Sequence, residues 1–328
     1  IAVVGVIWGC SASSRTTPTV AVPDVPLPSV DTKVAWVLRL EQHRQLRDAA
    51  REVVVAAPTS PTSTFRPAAN NDLAELIVDV EPAVRRRAAL AVGRVKDKAG
   101  LPLLVARLQD PEPDVRSVAA FSLGLLGDAG AVEPLVATLT ADGPAVQARA
   151  IEALGLIGQA AVVPAIYQAA STCPSLLAPI EPDVEMDAND AITLCRVALN
   201  ALVRLRSYDA IAALTLNSSG EPVSRWWPVA YALQRINDPR AAGALRILAD
   251  TPGVYTAGFA LRGLATLKDT AALPAARTLA GQATADVKVR VAAVRLLGAA
   301  GSEPEASFLL SLLERGTEST PLGLEIIT

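Results

Sequence analysis

Apolar residues recur along this chain in a pattern that mostly repeats every 31 residues. The phrase Ala-Leu-x-x-Leu-Gly, or a close variant, ends at Gly93, Gly124 and Gly155, and it resumes after a longer interval. Its later ends fall at Val203, Gln234, Ala265 and Gly298. Self-similarity with a period of about 20–50 residues is typical of a solenoid, in which each short unit packs only on its neighbours. The repeat therefore predicts the fold before any single residue is considered.

Each unit is predicted to contain two helices. In the clearest example, Val115 and Leu123 fall on one helical face, and Gly127 lies just past the last turn, where glycine commonly ends a helix. Pro134 lies in the first turn of the next helix, where a missing N–H costs least. The chain is therefore predicted to be all-α, a right-handed solenoid of about seven such pairs over residues 72–328.

An interval of 48 residues interrupts the repeat and marks an insert at about residues 171–190. Because hard cations take several oxygen ligands, its carboxylates raise the alternative of a metal site. The Asp-x-Asp-x-Asp-Gly pattern of a calcium loop does not occur there, and runs of charge are usually solvated. We therefore predict a solvated loop without a metal. Its acidic residues are Glu181, Asp183, Glu185, Asp187 and Asp190.

Four segments precede the repeats. Residues 1–10 are apolar up to Cys10, and small polar residues follow, which is typical of a truncated secretory signal that ends in a bacterial lipobox. Residues 11–32 and 54–71 are rich in Pro, Ser and Thr, which predicts an extended tether and a second flexible linker. Residues 33–53 between them are predicted to form a helix.

We therefore expect an exported protein with a lipid anchor at Cys10, at the bacterial cell envelope. A buried N-terminal strand or helix, in a cytoplasmic protein, is the alternative. The chain starts with Ile1 rather than Met, and its last residues look like the start of another helix, so we expect both ends to be truncated. No later segment has the roughly 20 apolar residues that spanning a membrane requires. A membrane is thus expected as a partner only through the anchor.

The composition limits the kinds of catalysis and the partners that can be expected of this chain. Hydrophobic residues make up 51% of the chain and aromatic residues only 4%, which suits closely packed helices rich in Ala, Val and Leu. The single His and single Met leave little material for histidine-based catalysis or metal binding. A net charge of −3 gives no strong attraction to nucleic acid. We assign no catalytic residue, no metal and no cofactor, and we predict neither a nucleic-acid partner nor an oligomer.

Two further cysteines lie in and after the insert. If Cys10 carries a lipid, Cys173 and Cys195 form an even pair in an oxidising compartment. A disulfide that pins the insert is one interpretation, and two separate buried thiols are the favoured one. A catalytic thiol is disfavoured because His43, the only histidine, lies far away before a linker.

Arginines and aromatic residues supply the candidate binding surface. The aromatic pair before Tyr231 is interpreted as an exposed patch for a partner, with core packing as the favoured alternative. Arg85, Arg116 and Arg290 share one repeat position and form a ladder that is broken at Gln147 and Cys195. A structural link between repeats is favoured for this ladder, and a groove for acidic partners is the alternative. The candidate residues are Arg85, Arg86, Arg87, Arg116, Trp226, Trp227 and Tyr231.

Two short motifs carry a family resemblance. Asp-Pro-Glu-Pro-Asp-Val-Arg at 110–116 and Leu-Gly-Leu-Leu-Gly-Asp at 123–128 resemble HEAT-like repeats, most of all the short bacterial type found in phycobilisome chromophore lyases. Residues 36–47 and 85–94, with the Pro-rich gap between them, resemble exported bacterial proteins in which HEAT repeats precede a cyclophilin-type peptidyl-prolyl isomerase domain. The second resemblance implies that this chain is the repeat half, since a Phe- and His-rich barrel does not occur in it.

We therefore expect a non-enzymatic scaffold whose partner is a protein or an unfolded polypeptide. A first alternative is the repeat half of a larger peptidyl-prolyl isomerase, which would deliver client chains to a downstream domain. A second is a protein similar to a chromophore lyase that acts on bilins. Repeat periodicity specifies how the chain packs, whereas the partner depends on surface residues.

Overall fold

The computed structural model describes residues 28–47, 72–185, 189–316 and 319–327, and over these ranges it contains helices and no strand. Its helices are α1 Val30–Gln42, α2 Leu73–Leu76, α3 Pro82–Val95, α4 Leu101–Arg107, α5 Pro113–Leu126, α6 Val132–Ala141, α7 Pro144–Ile157, α8 Val163–Ala169, α9 Cys173–Leu177, α10 Asp190–Arg204, α11 Tyr208–Thr215, α12 Trp227–Ile236, α13 Ala242–Ala249, α14 Val254–Leu267, α15 Leu273–Gly281, α16 Val287–Ala300, α17 Glu303–Glu314 and α18 Thr320–Ile327.

The helices pair along the chain and form two layers. The second helix of each pair packs on the second helix of the next, and the first helices pack against this layer. We call α3, α5, α7, α10, α12, α14, α16 and α18 the second helices. Helix α1 packs on α3 at one end, and α18 packs on α16 at the other, as the last residues of the sequence suggest. The predicted all-α solenoid is confirmed.

The glycine that ends the repeated phrase lies where neighbouring second helices approach most closely. A Cβ added to Gly124 would lie 2.6 Å from the Cα atom of Ala153 on the next second helix. The equivalent distances are 2.7 Å from Gly93 to the Cβ of Ser122 and 2.8 Å from Gly155 to the Cβ of Ala201. Because only a hydrogen fits there, the repeat holds glycine at this position in its first three copies.

The second helices from α3 to α14 end in a left-handed residue three positions after the repeated phrase, whereas Gly301 after α16 has φ of −78°. Gly127 and Gly158 have φ of 71° and 81° at this point. In other copies a residue with a side chain takes the same conformation, at a cost of about 1 kcal/mol, because its Cβ approaches the next carbonyl. These residues are Lys96, Arg206, Asn237 and Lys268.

The N-terminal helix differs from its predicted extent. Helix α1 begins at Val30, where the Ser29 side chain accepts from the N–H of Thr32, and it ends at Gln42 rather than continuing to residue 53. Val37 and Leu40 are buried in the core shared with α3. The predictions for residues 1–27 and 48–71, including the lipidation of Cys10, fall outside the described residues.

The insert is not simply a solvated loop. Helix α9 begins it, and the residues that follow cross to the start of α14. The Asp183 carboxylate accepts the backbone N–H groups of Tyr255 at 3.1 Å and Thr256 at 3.2 Å. Gly253, the residue before α14, has no side chain that could cap the helix, so Asp183 supplies the cap from 72 residues away. The insert therefore holds two distant repeats together.

Candidate functional site

A single repeat position, eight residues before the end of the phrase, links most of the second helices to a neighbouring loop or helix. We call it the ladder column. The Nε and Nη2 atoms of Arg85 each donate to the Asp110 carboxylate at 2.8 Å, and Nη1 donates to the carbonyl of Asp79 at 3.0 Å. Arg116 repeats this arrangement with Asp142, at 2.7 Å from Nη2. Both guanidinium groups are therefore engaged in joining neighbouring repeats.

The Arg85–Asp110 pair is buried, with side-chain exposures of 9% and 0%. Burial opposes ionisation of Asp110, but the hydrogen bonds from Arg85 and from the backbone of Glu112 hold the pKa of Asp110 below its ordinary value. The pair thus stays ionised in the folded protein. Arg85 is not available to a partner, which corrects its place in the candidate binding surface, and Arg116 is corrected for the same reason.

Beyond Arg116, the residues of the ladder column bond to partners other than an aspartate. The Gln147 side chain donates to the carbonyl of Leu139 at 2.9 Å, and Arg290 donates to the carbonyl of Ala280 at 3.1 Å. Between them, Cys195 forms a disulfide with Cys173, with an S–S distance of 2.07 Å. The structure therefore holds the disulfide and not the two separate thiols favoured from the sequence.

Trp226 occupies the ladder column in the next repeat. Its side chain is 1% exposed, and its Nε1 donates to the carbonyl of Val184 in the insert at 2.7 Å. Trp226 is thus a core residue that anchors the insert, and its assignment to the binding surface is wrong. Arg87 is also engaged, because it forms an ion pair with Glu41 of α1. Arg86 is exposed and lies 3.9 Å from Asp114.

The remaining aromatic candidates form a half-buried cluster with a residue that the sequence did not single out. The ring centroid of Phe259 lies 6.0 Å from that of Trp227 and 5.2 Å from that of Tyr231. The guanidinium of Arg262 lies 4.6 Å above the Phe259 ring, within the range of a cation–π contact. We call Trp227, Tyr231 and Phe259 the aromatic cluster. Its residues belong to the neighbouring second helices α12 and α14.

A cavity of about 1470 Å³ opens beside the aromatic cluster, between α10, α12 and the turns that follow them. Trp227 and Tyr231 line one part of it. Its other notable lining residues are arginines, and we call this cavity the arginine groove. The arginines are Arg196, Arg204, Arg206, Arg235 and Arg240.

The carboxylates that line the arginine groove already form ion pairs with arginines. Arg240 binds Asp209 at 2.7 Å and Asp238 at 2.9 Å, and it lies flat over the Tyr208 ring at 4.1 Å. The third carboxylate of the lining, Glu152, pairs with an arginine of its own helix at 2.8 Å. Among the described residues, the side chains of the other four arginines of the groove have neither an ion pair nor a hydrogen bond. The lining therefore holds five arginines against three carboxylates, a net charge of +2, and four of these arginines lack an ion-pair partner.

A second cavity of about 670 Å³ continues the same face between α14 and α16. Tyr255, Phe259 and Val291 give it an apolar lining, and Arg262 and Arg295 place two guanidinium groups beside it. Desolvation, and then repulsion from Arg295, lowers the pKa of Arg262 from its ordinary value. Phe259 belongs both to this cavity and to the aromatic cluster, so the two cavities form one continuous surface. We call this surface the second-helix face.

The negative charges of the second-helix face, Glu152, Asp209 and Asp238, all lie in the lining of the arginine groove. Helices α12, α14 and α16 contain no Asp or Glu within their bounds. Six residues of this face lie in two repeat columns, three positions before and one position after the end of the repeated phrase. Aligning the repeats in those two columns would have found them from the sequence, whereas a search for local clusters of charge did not. They are Asn200, Tyr231, Arg262 and Arg295 in the first column and Arg204 and Arg235 in the second.

Across the described ranges, no three His, Cys, Asp or Glu side chains are grouped so that they could hold a metal ion. No described helix combines the length and the apolar character that crossing a membrane needs.

The fold defines an α-solenoid of helical repeats, and comparison with known families specifies its type. Residues 101–177 match the family of HEAT repeats, and residues 84–110 match the PBS lyase HEAT-like repeat. The chain thus carries HEAT-like repeats of the type predicted from its motifs. No curated protein matches the chain, and the comparisons do not support the resemblance to the repeat half of exported cyclophilin-type isomerases.

Solved structures share the architecture at low sequence identity. The E. coli protein YIBA is 15% identical with a TM-score of 0.52, over 78% of this chain and 90% of its own. A chain of the complex of Kap95p with RanGDP is 11% identical with a TM-score of 0.51, over 93% of this chain and 46% of its own. A chain of the CpcE–CpcF complex of phycocyanin lyase from Nostoc sp. PCC7120 is 19% identical with a TM-score of 0.43, over 83% of this chain and 97% of its own. At these identities the similarity concerns the fold alone.

Proposed function

We propose that this chain is a non-enzymatic scaffold that binds a polypeptide partner on its second-helix face. The observation that carries the proposal is the continuous surface from α10 to α16, which combines half-buried aromatic rings with arginines. Within the described ranges, the arginines of the groove other than Arg240 have no ion-pair partner, whereas Arg295 of α16 pairs with Glu325 at 2.8 Å. Aromatic residues and arginine are the residue types most enriched where proteins bind proteins. Stacked repeats also present extended surfaces of this kind in other solenoids.

The proposal places the scaffold at the bacterial envelope, with a lipid anchor at Cys10. The disulfide between Cys173 and Cys195 supports export, because disulfides persist in oxidising compartments and are rare in the cytosol. Recovery of the mature protein in the soluble fraction of cells would contradict the anchor. The isomerase and bilin-lyase alternatives stay predictions, and no feature of the described residues favours either one.

Site-specific photo-crosslinking tests whether this face binds a protein. A photoreactive phenylalanine analogue replaces Tyr231 or Tyr255 on the second-helix face, or Tyr167, an exposed tyrosine of the first helix α8. Illumination in an envelope extract should give discrete adducts from the first two positions and none from Tyr167. The same adducts from Tyr167, or no adduct from any position, would overturn the proposal.

A further inference from the structure

We propose that the arginine groove binds an acidic polypeptide segment, in which Asp or Glu residues flank an aromatic or aliphatic side chain. The inference rests on the proposed function and specifies the chemistry of the partner. It follows from the charges of the groove, from the rings beside them and from the position of one of its arginines.

The charges of the groove require anions from outside the chain. Arg204, Arg206 and Arg235 are exposed and Arg196 is half-buried, and the carboxylates among the lining residues are already paired with other arginines. Several like charges that line one concave surface repel one another and concentrate a field within it. Guanidinium forks bind carboxylates through two parallel hydrogen bonds, which makes arginine well suited to recognising Asp and Glu. A segment with several carboxylates therefore complements this surface.

The rings beside the arginines explain why the segment should also carry an apolar side chain. Trp227 and Tyr231 line the groove and are only half-buried, so each leaves part of a ring free for contact. Phe259 extends the rings toward the second cavity. Burial of apolar surface contributes about 25 cal/mol per Å², whereas exposed ion pairs alone contribute about 1 kcal/mol or less. An apolar side chain between the carboxylates would thus provide much of the affinity.

Carboxylates fit the groove better than a nucleic-acid backbone does. A single strand carries a phosphate on every nucleotide, so its charges follow one another at a regular spacing. Glu152, Asp209 and Asp238 also line the groove, and these carboxylates would repel a continuous line of phosphates. Separate acidic side chains can be spaced to avoid them.

Arg206 adds an observation from the backbone. It lines the groove with φ of 55°, in the left-handed position that Gly127 and Gly158 occupy in earlier repeats. Glycine would adopt this conformation without the steric cost, so arginine is retained there against the preference of the backbone. Lys96 and Lys268 take the same conformation outside both cavities, so the conformation alone does not mark a site. Its position in the lining is what places the exposed Arg206 guanidinium where a ligand could contact it.

Fluorescence anisotropy with a synthetic probe tests the inference. The probe is a short fluorescein-labelled peptide of Asp and Glu with one central Phe, and the matched control peptide has Asn and Gln in their place. The acidic peptide should bind at least about tenfold more tightly than the control, because the control cannot form the ion pairs. Its affinity should fall as salt is added, since exposed charges are screened. Equal binding of both peptides would overturn the inference.

A pair of charge reversals locates the binding. Arg235→Glu changes an exposed groove arginine without an ion-pair partner, so the fold should be unaffected, and the acidic peptide should bind about tenfold more weakly. Arg86→Glu makes the same change of charge on α3, at the repeat position that Arg196 holds in α10. It should leave the affinity within about twofold. An equal loss from both reversals would overturn a specific groove.

Two comparisons distinguish a failure of this inference from a failure of the proposed function. A labelled oligodeoxythymidine strand that binds as tightly as the acidic peptide would show that phosphates satisfy the groove, and it would overturn the assignment to carboxylates. If the acidic peptide fails to bind while photo-crosslinking at Tyr231 still gives adducts, only the acidic chemistry is wrong. If both experiments fail, the scaffold function fails as well.

Discussion

Arginines at the two ends of the second helices have opposite roles. Near the N-terminal ends, in the ladder column, Arg85 and Arg116 each reach an Asp in the next loop and a backbone carbonyl. Near the C-terminal ends, in the arginine groove, Arg204 and Arg235 reach neither. The difference lies in whether a neighbouring element brings a carboxylate within reach, since the residue type is the same.

Arg94 shows that repeat position does not decide the role either. It occupies the same position in α3 as Arg204 in α10 and Arg235 in α12, one residue after the repeated phrase. Its guanidinium pairs with Glu41 of α1 at 2.9 Å. Glu41 of helix α1 thus neutralises Arg94 near the N-terminal end of the solenoid. The equivalent residues Arg204 and Arg235, further along the solenoid, have no such partner in the described part of the chain. A basic residue becomes a candidate for binding only where no such element covers it.

The largest expected effect comes from breaking the ladder column. Arg85→Ala should lower the free energy of unfolding by about 3 kcal/mol, because it leaves the buried carboxylate of Asp110 without its main partner. Arg204→Ala, the matched change in the groove, should alter it by less than about 0.5 kcal/mol. Urea unfolding followed by circular dichroism measures both. Similar losses from the two variants would remove the distinction between the ladder column and the groove.

A comparable loss in the free energy of unfolding is expected at Cys195, where the ladder column carries the disulfide. The double variant Cys173→Ala/Cys195→Ala opens a link across 22 residues and should cost about 3 kcal/mol, because the unfolded chain regains its freedom. Thermal unfolding with and without reductant measures the effect. The reductant should destabilise the native protein and leave the variant unchanged. Equal sensitivity in both would mean that this cross-link does not hold the insert in place.

The smallest expected effect comes from Arg206, where one substitution should raise the stability of the fold and weaken the binding of the acidic peptide. Arg206→Gly should raise the free energy of unfolding by about 1 kcal/mol, because glycine adopts the left-handed conformation without strain. The same variant should bind the acidic peptide more weakly. Lys268→Gly makes the equivalent backbone change outside both cavities, so it should stabilise the fold and leave peptide binding unaltered. A gain in stability with full binding in Arg206→Gly would show that the Arg206 side chain does not contact the ligand.

The sequence by itself determined the repeat and the helical units. A period of 31 residues predicted the solenoid, because a solenoid unit contacts only its neighbours and its pattern is therefore local. Local rules also located the turns, as at Gly127, which ends α5 in the left-handed conformation. The link from Arg85 to Asp110 spans 25 residues, less than one period, so the interpretation of the arginine ladder as a connection between repeats follows from the same local logic.

Only the tertiary structure decided what each surface residue does. Asp183 caps a helix 72 residues further on, and Trp226 lies beneath the insert, because the insert crosses a repeat boundary that no periodic pattern describes. Arg235 belongs to the groove because the neighbouring elements place their carboxylates against other arginines. Periodicity records the contacts that every repeat makes. A contact that occurs only once in the chain leaves no periodic signal. Both the burial of a side chain and the absence of an ion-pair partner depend on such contacts.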